Sequence, residues 1–233
     1  MKRLISLLLI LVLGAGCSIP GDPMLGDLYT NNIFPGTNST YDIGATDNYY
    51  NNAYINNIYI GGVWDDLRTP VNAVKLGGVN PPVDILYNGG MLLSFEDKIL
   101  SQEQIVYFTI QLPHNWKEGT SLEPHIHWTA EDGTAGNIVW LLTYAWVNIE
   151  DIMPVYSEVI AVGSTGEGYG KHIVTNFGLI NGIDKKVSSM LVCSVKRNSS
   201  NILDTYNGKS AYFMEIDFHY QIGSIGSISL TGQ

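Results

Sequence analysis

The segment AYFMEIDFHY, residues 211–220, decides the fold because apolar and polar side chains alternate along it. The apolar side chains fall at every second position, at Tyr212, Met214, Ile216, Phe218 and Tyr220. Successive side chains of a β-strand point to opposite faces, so this period of two predicts a strand with one buried face. Glu215, Asp217 and His219 are expected on the opposite, polar face.

Three further segments have the character of strands, and turn residues separate them. Residues 104–112 alternate in the same way, residues 138–147 are apolar on both faces like a central strand, and residues 190–197 are another candidate. Pairs that can adopt positive φ lie between such segments, at Asn88-Gly89, Asp132-Gly133, Asn181-Gly182 and Asn207-Gly208. The sequence therefore predicts an all-β fold, an antiparallel, jelly-roll-like β-sandwich, as a head domain over residues 63–233.

The composition limits the partners of the chain. It has 22 Asp and Glu against 12 Lys and Arg, with a net charge of −10 at pH 7. A negative surface repels nucleic acid and anionic lipid, so we expect no nucleic-acid partner. Of the two cysteines, Cys17 belongs to the N-terminal segment described next, so no internal disulfide is expected. Cys193 lies in the strand-like run SMLVCSV, where we expect a buried, unreactive thiol.

The first 17 residues resemble a secretory signal segment. Lys2 and Arg3 precede an apolar run from residue 4 to residue 13, which is too short to cross a bilayer in the ordinary way. Three small residues and then Cys17 follow, and this arrangement resembles a bacterial lipobox. The resemblance implies a lipoprotein with a lipid-modified Cys17, which contacts the membrane only through this anchor. An uncleaved hydrophobic anchor is the alternative.

Residues 18–62 form an Asn- and Tyr-rich segment that contains too few apolar residues to enclose a core alone. Its Ile and aromatic side chains need a partner surface, and three chains wound around one axis would supply one. We therefore expect a fibre-like stalk that holds a homotrimer together. A disordered linker rich in Asn and Gly is the alternative.

Two sets of residues resemble proteins of bacteriophages. The first set, Pro35, Asn38, Thr40, Asp42, Ile43 and Gly44, is similar to the turn of the short repeat in phage tail fibres. The second set lies in the predicted sandwich and resembles uncharacterised virion proteins, with WDDLR at 64–68, QLPH at 111–114, PHIHW at 124–128 and DFHY at 217–220. The resemblance implies a structural or attachment protein of the virion or the bacterial cell envelope, with a cell-surface or virion partner and no catalytic residue.

A second resemblance concerns a metal site. His125 and His127 flank one residue, so in a strand both imidazoles lie on one face and can meet one metal ion. With Glu131, and with His172 further along the chain, they resemble the metal motifs of cupins. This similarity implies a divalent ion, iron- or manganese-like, bound by His125, His127, Glu131 and His172. The alternative function is therefore a cupin-like metal-binding protein or metalloenzyme.

Other arrangements of the His pair remain open. At a threefold axis, His125 and His127 of three chains would offer six nitrogens to one iron-like ion. The pair can also be structural, in a hydrogen-bonded aromatic cluster with Trp128, Trp116 and His114. The polar row at residues 215, 217 and 219 can hold a metal, although such rows are usually solvated.

Surface recognition is expected to use aromatic side chains. Trp64, Trp116 and Tyr169 are candidates for stacking against the sugars of a surface glycan, with burial in the core as the alternative for the Trp residues. The sequence has no Ser-His-Asp order and no Gly-x-Ser-x-Gly segment. We therefore expect a binding or structural protein rather than an enzyme.

Overall fold

Nearly every element of the fold is a β-strand, as the alternating sequence pattern predicts. The computed structural model of the protein describes residues 59–97, 104–167 and 169–226. Within these ranges the strands are β1 Tyr59–Pro70, β2 Lys75–Gly77, β3 Val83–Tyr87, β4 Gly90–Phe95, β5 Ile105–Gln111, β6 Glu123–Ala130, β7 Asn137–Val147, β8 Ser157–Ser164, β9 Ile173–Asn176, β10 Met190–Arg197 and β11 Ala211–Ser224. Two short 3-10 helices accompany them, at Val71–Ala73 and Thr165–Glu167.

The strands form two antiparallel sheets packed face to face, so the predicted antiparallel, jelly-roll-like sandwich is confirmed. Sheet 1 has the order β3-β4-β11-β6-β9, and β1 pairs with β11 beside β4. Sheet 2 has the order β2-β5-β10-β7-β8. The long strand β11 therefore contacts three other strands and lies at the centre of sheet 1.

Aromatic side chains from both sheets fill the core. Trp140 of β7 is fully buried and meets two rings of sheet 1 edge-on, with centroid distances of 5.3 Å to Phe95 and 6.1 Å to Trp128. Phe108 of β5 meets Phe218 of β11 at 6.3 Å. These contacts join the sheets through the inward halves of alternating strands, where burial of large rings contributes most of the stabilisation.

Residues 211–220 belong to strand β11, as predicted, but at the start of the strand the buried side chains are not those that simple alternation predicts. The register between β11 and β6 shifts between Phe213 and Glu215. Phe213 is fully buried, while Tyr212 and Met214, which were expected on the buried face, are only partly buried. A β-bulge adds one residue to a strand and reverses which parity points inward. Beyond the shift, the predicted faces are correct.

Other predicted strands and one turn agree with the structure. Strand β5 buries Val106, Phe108 and Ile110, and β7, which lies between β10 and β8 inside sheet 2, is buried along most of both faces. Asn88 and Gly89 join β3 to β4 with φ values of 47° and 85°. Positive φ at both positions is the geometry of the tight hairpin turn that Asn-Gly favours.

A buried ion pair ties the segment after β10 to the core. Arg197 donates from Nη2 to Asp204 Oδ1 at 2.7 Å and from Nε to Oδ2 at 2.9 Å, and both side chains are 1% exposed. Arg197 also donates to the carbonyl oxygens of Lys209 and Tyr206, at 2.5 and 2.9 Å. The Val139 amide donates to Asp204 Oδ2 at 3.1 Å. The network therefore satisfies a charged pair and several backbone groups away from water.

Gly163 lies where β8 of sheet 2 comes close to side chains of sheet 1. A Cβ atom at this position would lie 2.8 Å from Trp128 Cζ2 and closer still to Thr175 Oγ1. We expect Gly163→Ala to lower the free energy of unfolding by about 1–3 kcal/mol, because the indole ring cannot move without disturbing the core. Chemical denaturation measures this loss.

Gly133→Ala is the matched control for that substitution. Its added Cβ would lie 3.9 Å from Tyr169 Cβ, an ordinary contact distance. We expect its stability to change by less than about 0.5 kcal/mol. Equal losses in the two variants would contradict the close-approach explanation.

The predicted N-terminal segments lie largely outside the described residues. These include the signal segment, Cys17, and residues 18–58 of the predicted stalk. Strand β1 begins at Tyr59, so the last four residues assigned to the stalk belong to the first strand of sheet 1. Among the described residues, no helix has the length and apolar character needed to span a membrane. Cys193 is buried, and this burial raises the pKa of its thiol, in keeping with an unreactive side chain.

Candidate functional site

Four of the five histidines of the chain gather on the outer face of sheet 1. We call this surface the His-rich face. Strand β6 supplies two of these histidines, β11 supplies one, and one comes from the residue just before β9. The face comprises Trp64, Asp66, Arg68, Glu123, His125, His127, His172, Val174, Asn176, Glu215, Asp217 and His219.

Strand register explains how distant residues meet on this face. Strands β1, β11, β6 and β9 lie side by side, so residues in register form rows across them. One row joins Arg68, Asp217, His125 and Asn176. Because cross-strand partners point to the same side of a sheet, each row presents its side chains together.

Asp217 lies between the two histidines of β6. Its Oδ1 is 2.6 Å from His125 Nε2, and its Oδ2 is 3.1 Å from His127 Nε2. Burial alone would raise the pKa of Asp217, but its interactions with both imidazoles outweigh burial and lower it. The same carboxylate raises the pKa of His125. The cluster therefore holds an anionic carboxylate against two imidazoles.

The structure brings together three of the four residues predicted to bind metal. His127 Nδ1 lies 2.6 Å from His172 Nε2, and the two rings stack with centroids 4.8 Å apart. Glu131 lies elsewhere, because it follows the end of β6 and its Oε2 accepts a hydrogen bond from the Ser210 amide at 2.6 Å. Asp217 takes the place beside the His pair that the sequence pattern gave to Glu131.

The sequence pattern did not indicate this role of Asp217. The alternation of residues 211–220 places Asp217 on the polar face. It suggested a metal site only within the row formed by Glu215, Asp217 and His219, without the histidines of β6. Its pairing with His125 depends on the register between β11 and β6. The two residues are 92 positions apart in the sequence. Only the parity of the strand was visible in the sequence.

A groove opens beside this cluster. It has a volume of about 310 Å³ and is lined by Asp66, Glu123, His125, Val174, Asn176 and His219. The imidazole of His219 is held by Asp66 Oδ1, 2.6 Å from its Nδ1. Trp64 stacks on His219 with ring centroids 5.1 Å apart and planes 6° apart, and Trp64 is 43% exposed.

The polar groups around the groove are held by specific partners. Asn176 Nδ2 donates to Glu123 Oε1 across β6 and β9. Arg68 makes a two-bond pair with Glu215, at 3.1 Å from Nε and 2.6 Å from Nη2. This pair raises the pKa of Arg68. The groove therefore presents oriented carboxylate and amide groups beside a stacked aromatic pair.

The other predicted surface contacts differ in exposure. Tyr169 is 60% exposed and follows the second 3-10 helix. Trp116 is only 2% exposed and packs against Trp146, so its ring cannot stack on a surface ligand. The physical reason is that Trp116 lies between the sheets, in the hydrophobic core.

The proposed structural cluster around the His pair does not form. Trp128 points inward and its Nε1 donates to Thr175 Oγ1 at 2.9 Å. His114 Nε2 lies 2.9 Å from Ser188 Oγ. The His pair instead faces outward with Asp217. The threefold metal site involves other copies of the chain and stays a prediction.

Known proteins that match this chain share little of its sequence. No protein-family model matches the sequence, and no curated protein matches it. Solved structures that match at 12% identity include a CBM61 module in complex with beta-1,4-galactotriose, which covers 69% of this chain and 90% of that chain with a TM-score of 0.30. Another is the CBM22-2 xylan-binding domain from Paenibacillus barcinonensis. The match covers 70% of this chain and 94% of that chain, with a TM-score of 0.35.

A third match contains the CBM22-1 and GH10 modules of a Clostridium thermocellum endo-1,4-beta-D-xylanase complexed with xylohexaose. It covers 66% of this chain and 25% of that chain, at 12% identity and a TM-score of 0.32. TM-scores this low transfer no function to the present chain. The family identification from the sequence is nevertheless wrong: the matching structures are carbohydrate-binding modules, not phage tail fibres, and no family model or sequence relative supports the phage or cupin resemblance. Short patterns of turn residues and His recur in unrelated β proteins, because tight turns and strand alternation impose the same spacings.

Proposed function

We propose that the protein is a non-enzymatic binding protein that recognises neutral polysaccharide chains on its His-rich face. The observation that carries this proposal is the exposed Trp64 ring, stacked on His219 at the edge of a groove lined by Asp66, Glu123 and Asn176. An aromatic ring packs against the C–H face of a sugar, while carboxylate and amide groups bind its hydroxyls.

Pre-organisation supports this assignment. Trp64 is fixed by stacking, His219 by Asp66, and Asn176 by Glu123. Side chains already held in one conformation lose less entropy when a ligand binds. The groove residues come from neighbouring strands of one sheet, which suits an extended ligand lying across those strands.

Charge favours an uncharged ligand. The chain carries a net charge of −10, and the groove contains Asp66 and Glu123. Anionic polymers are repelled by such a surface, whereas a neutral sugar can donate its hydroxyl hydrogens to the carboxylates.

The contacts of Asp217 and Glu215 do not favour a role for either carboxylate as the general acid of glycoside hydrolysis. A general acid for that reaction needs a carboxyl group with a raised pKa. The pKa of Asp217 is lowered instead, since its contacts with two imidazoles outweigh its burial. Glu215 is held in a two-bond pair by Arg68. These pairings support binding without catalysis.

Binding to soluble neutral polysaccharides tests the proposal. We expect galactan or xylan to retard the purified full chain in affinity gel electrophoresis and to give a titratable signal in calorimetry. We expect Trp64→Ala to weaken that binding by about tenfold or more, equivalent to ~1.4 kcal/mol or above. Polygalacturonate, an anionic polymer, is expected to bind far more weakly.

Tyr156→Ala provides the matched control. Tyr156 is an exposed aromatic residue, 68% accessible, that lines a different groove on sheet 2. Its replacement should leave polysaccharide binding unchanged. Absence of binding to every neutral polysaccharide, or equal binding by wild type and Trp64→Ala, would refute the proposed site.

The assembly of the chain, its lipid anchor and its location remain predictions. The homotrimer, the lipid anchor at Cys17 and location at the cell envelope all depend on residues outside the described ranges. A native mass measurement of the full chain tests the trimer, and intact-protein mass tests the lipid.

A further inference from the structure

Three potential metal-binding atoms converge next to the groove. They belong to His125, His127 and Asp217, and they all lie within 4.8 Å of one another. The two imidazoles approach through Nε2, and each faces a different oxygen of the same carboxylate. Zinc binds nitrogen and oxygen ligands at about 2.0–2.2 Å, so neighbouring ligands in a tetrahedral site lie about 3.3 Å apart. The observed N–O separations of 2.6 and 3.1 Å are close to this value, and one ligand atom from each residue can be chosen with every separation within 4.8 Å.

The carboxylate of Asp217 has an unsatisfied oxygen. Asp217 is 3% exposed, and its buried Oδ1 has no hydrogen-bond donor. Oδ1 lies 2.6 Å from His125 Nε2, but this contact does not have the full geometry of a hydrogen bond. A buried carboxylate oxygen without a donor is costly. A bound cation would satisfy it.

The second nitrogen of each imidazole has a partner suited to a metal-bound histidine. His125 Nδ1 lies 3.3 Å from the carbonyl oxygen of Glu123, which can only accept a hydrogen bond. His127 Nδ1 lies 2.6 Å from His172 Nε2, which can accept one. With protons on both Nδ1 atoms, the Nε2 lone pairs are free to bind a metal ion beside Asp217. Histidines that bind metals usually donate their other N–H in this way.

We propose that His125 Nε2, His127 Nε2 and the Asp217 carboxylate bind one divalent transition-metal ion of the zinc class per chain. Two imidazoles and one carboxylate suit Zn²⁺ or a similar first-row ion, whereas Ca²⁺ and Mg²⁺ prefer oxygen ligands throughout. In this site His172 orients His127 and is not itself a ligand, and Glu131 has no part. A fourth coordination position remains for water or another oxygen ligand.

Zinc titration of the untagged, chelator-treated full chain tests this site. We expect calorimetry and elemental analysis after dialysis to give one Zn²⁺ per chain, with micromolar or tighter affinity. Asp217→Asn preserves the shape of the side chain but removes its charge, so we expect the Zn²⁺ affinity to fall by more than about 100-fold. Altering a residue that only orients a metal ligand typically lowers the affinity by about 10–100-fold. For His172→Ala we expect the Zn²⁺ affinity to fall by about 10–100-fold, with the stoichiometry unchanged.

Two controls separate this proposal from its alternatives. Glu131→Gln should bind Zn²⁺ as wild type does, because Glu131 is engaged with the Ser210 amide. Trp64→Ala should also keep full Zn²⁺ affinity, so the metal test is independent of polysaccharide binding. One ion per three chains, loss of binding in Glu131→Gln, or wild-type affinity in Asp217→Asn would overturn the proposed site.

A spectroscopic measurement on the wild-type chain avoids dependence on folded variants. Co²⁺ should produce the visible absorption of a low-symmetry, four-coordinate ion, and Zn²⁺ should displace it stoichiometrically. A Co²⁺ spectrum identical to that of the aqueous ion, at protein concentrations where the site should be filled, would also refute the proposal.

Discussion

Asp204→Ala is expected to lower the free energy of unfolding by about 3–5 kcal/mol, because it leaves the Arg197 guanidinium buried without its counterion. Both side chains of this pair are 1% exposed. The substitution also removes the acceptor for the Val139 amide, so a backbone donor of β7 loses its partner. Urea or guanidinium denaturation followed by tryptophan fluorescence measures the loss.

Arg68→Ala is the matched control, because it breaks an ion pair of similar geometry on the surface. The Arg68 side chain is 66% exposed, and its contact with Glu215 is 2.6 Å long. Exposed pairs contribute about 0–1 kcal/mol, so we expect little change in stability. The double variant Arg197→Met/Asp204→Leu should lose less than the sum of its single variants, since no charge remains unpaired. Losses below about 1 kcal/mol in Asp204→Ala would contradict this account.

Trp128→Ala is expected to cost about 3–5 kcal/mol, because it opens a cavity between the two sheets. Trp128 is fully buried, contacts Trp140 of the opposite sheet, and donates to Thr175 Oγ1 at 2.9 Å. In a domain of this size, a loss of about 1 kcal/mol in the free energy of unfolding lowers the melting temperature by about 2–4 °C. The melting temperature should therefore fall by about 10 °C. Differential scanning calorimetry measures the shift.

Trp128→Phe separates packing from hydrogen bonding at the same position. It keeps an aromatic ring but removes the indole N–H that donates to Thr175, so we expect an intermediate loss. Trp64→Ala serves as the exposed Trp control and should change stability by less than about 0.5 kcal/mol. A Trp128→Ala variant as stable as Trp64→Ala would show that the ring does not support the core.

The fold was predictable because burial of one strand face leaves a direct trace in the sequence. Residues 104–112, 138–147 and 190–197 all lie in or overlap strands, and the Asn88-Gly89 turn has the expected positive φ values. The bulge beside Met214 was not predictable from alternation alone. Its inserted residue reverses the face of Phe213 through pairing with β6, which is a tertiary effect.

The candidate site was predictable only in part for the same reason. His125 and His127 share a face because they are two positions apart in one strand, and this follows from local geometry. Their contact with Asp217 depends on the register of β11 against β6. The pattern that selected Glu131 assumed spacing typical of another family, whereas β6 ends at Ala130 before that residue. Local periodicity placed the two histidines on one face but did not indicate their contact with Asp217.

The central position of β11 has a consequence for synthesis of the protein. It is the last strand that the structure describes, yet it pairs with β1, β4 and β6. Its bond between Arg68 and Glu215 joins residues 147 positions apart. Contacts at such separations form slowly, so a nascent chain exposes the edges of its earlier strands until β11 emerges. A ribosome that stalls before residue 211 would release a chain with unpaired sheet edges, which is prone to aggregation.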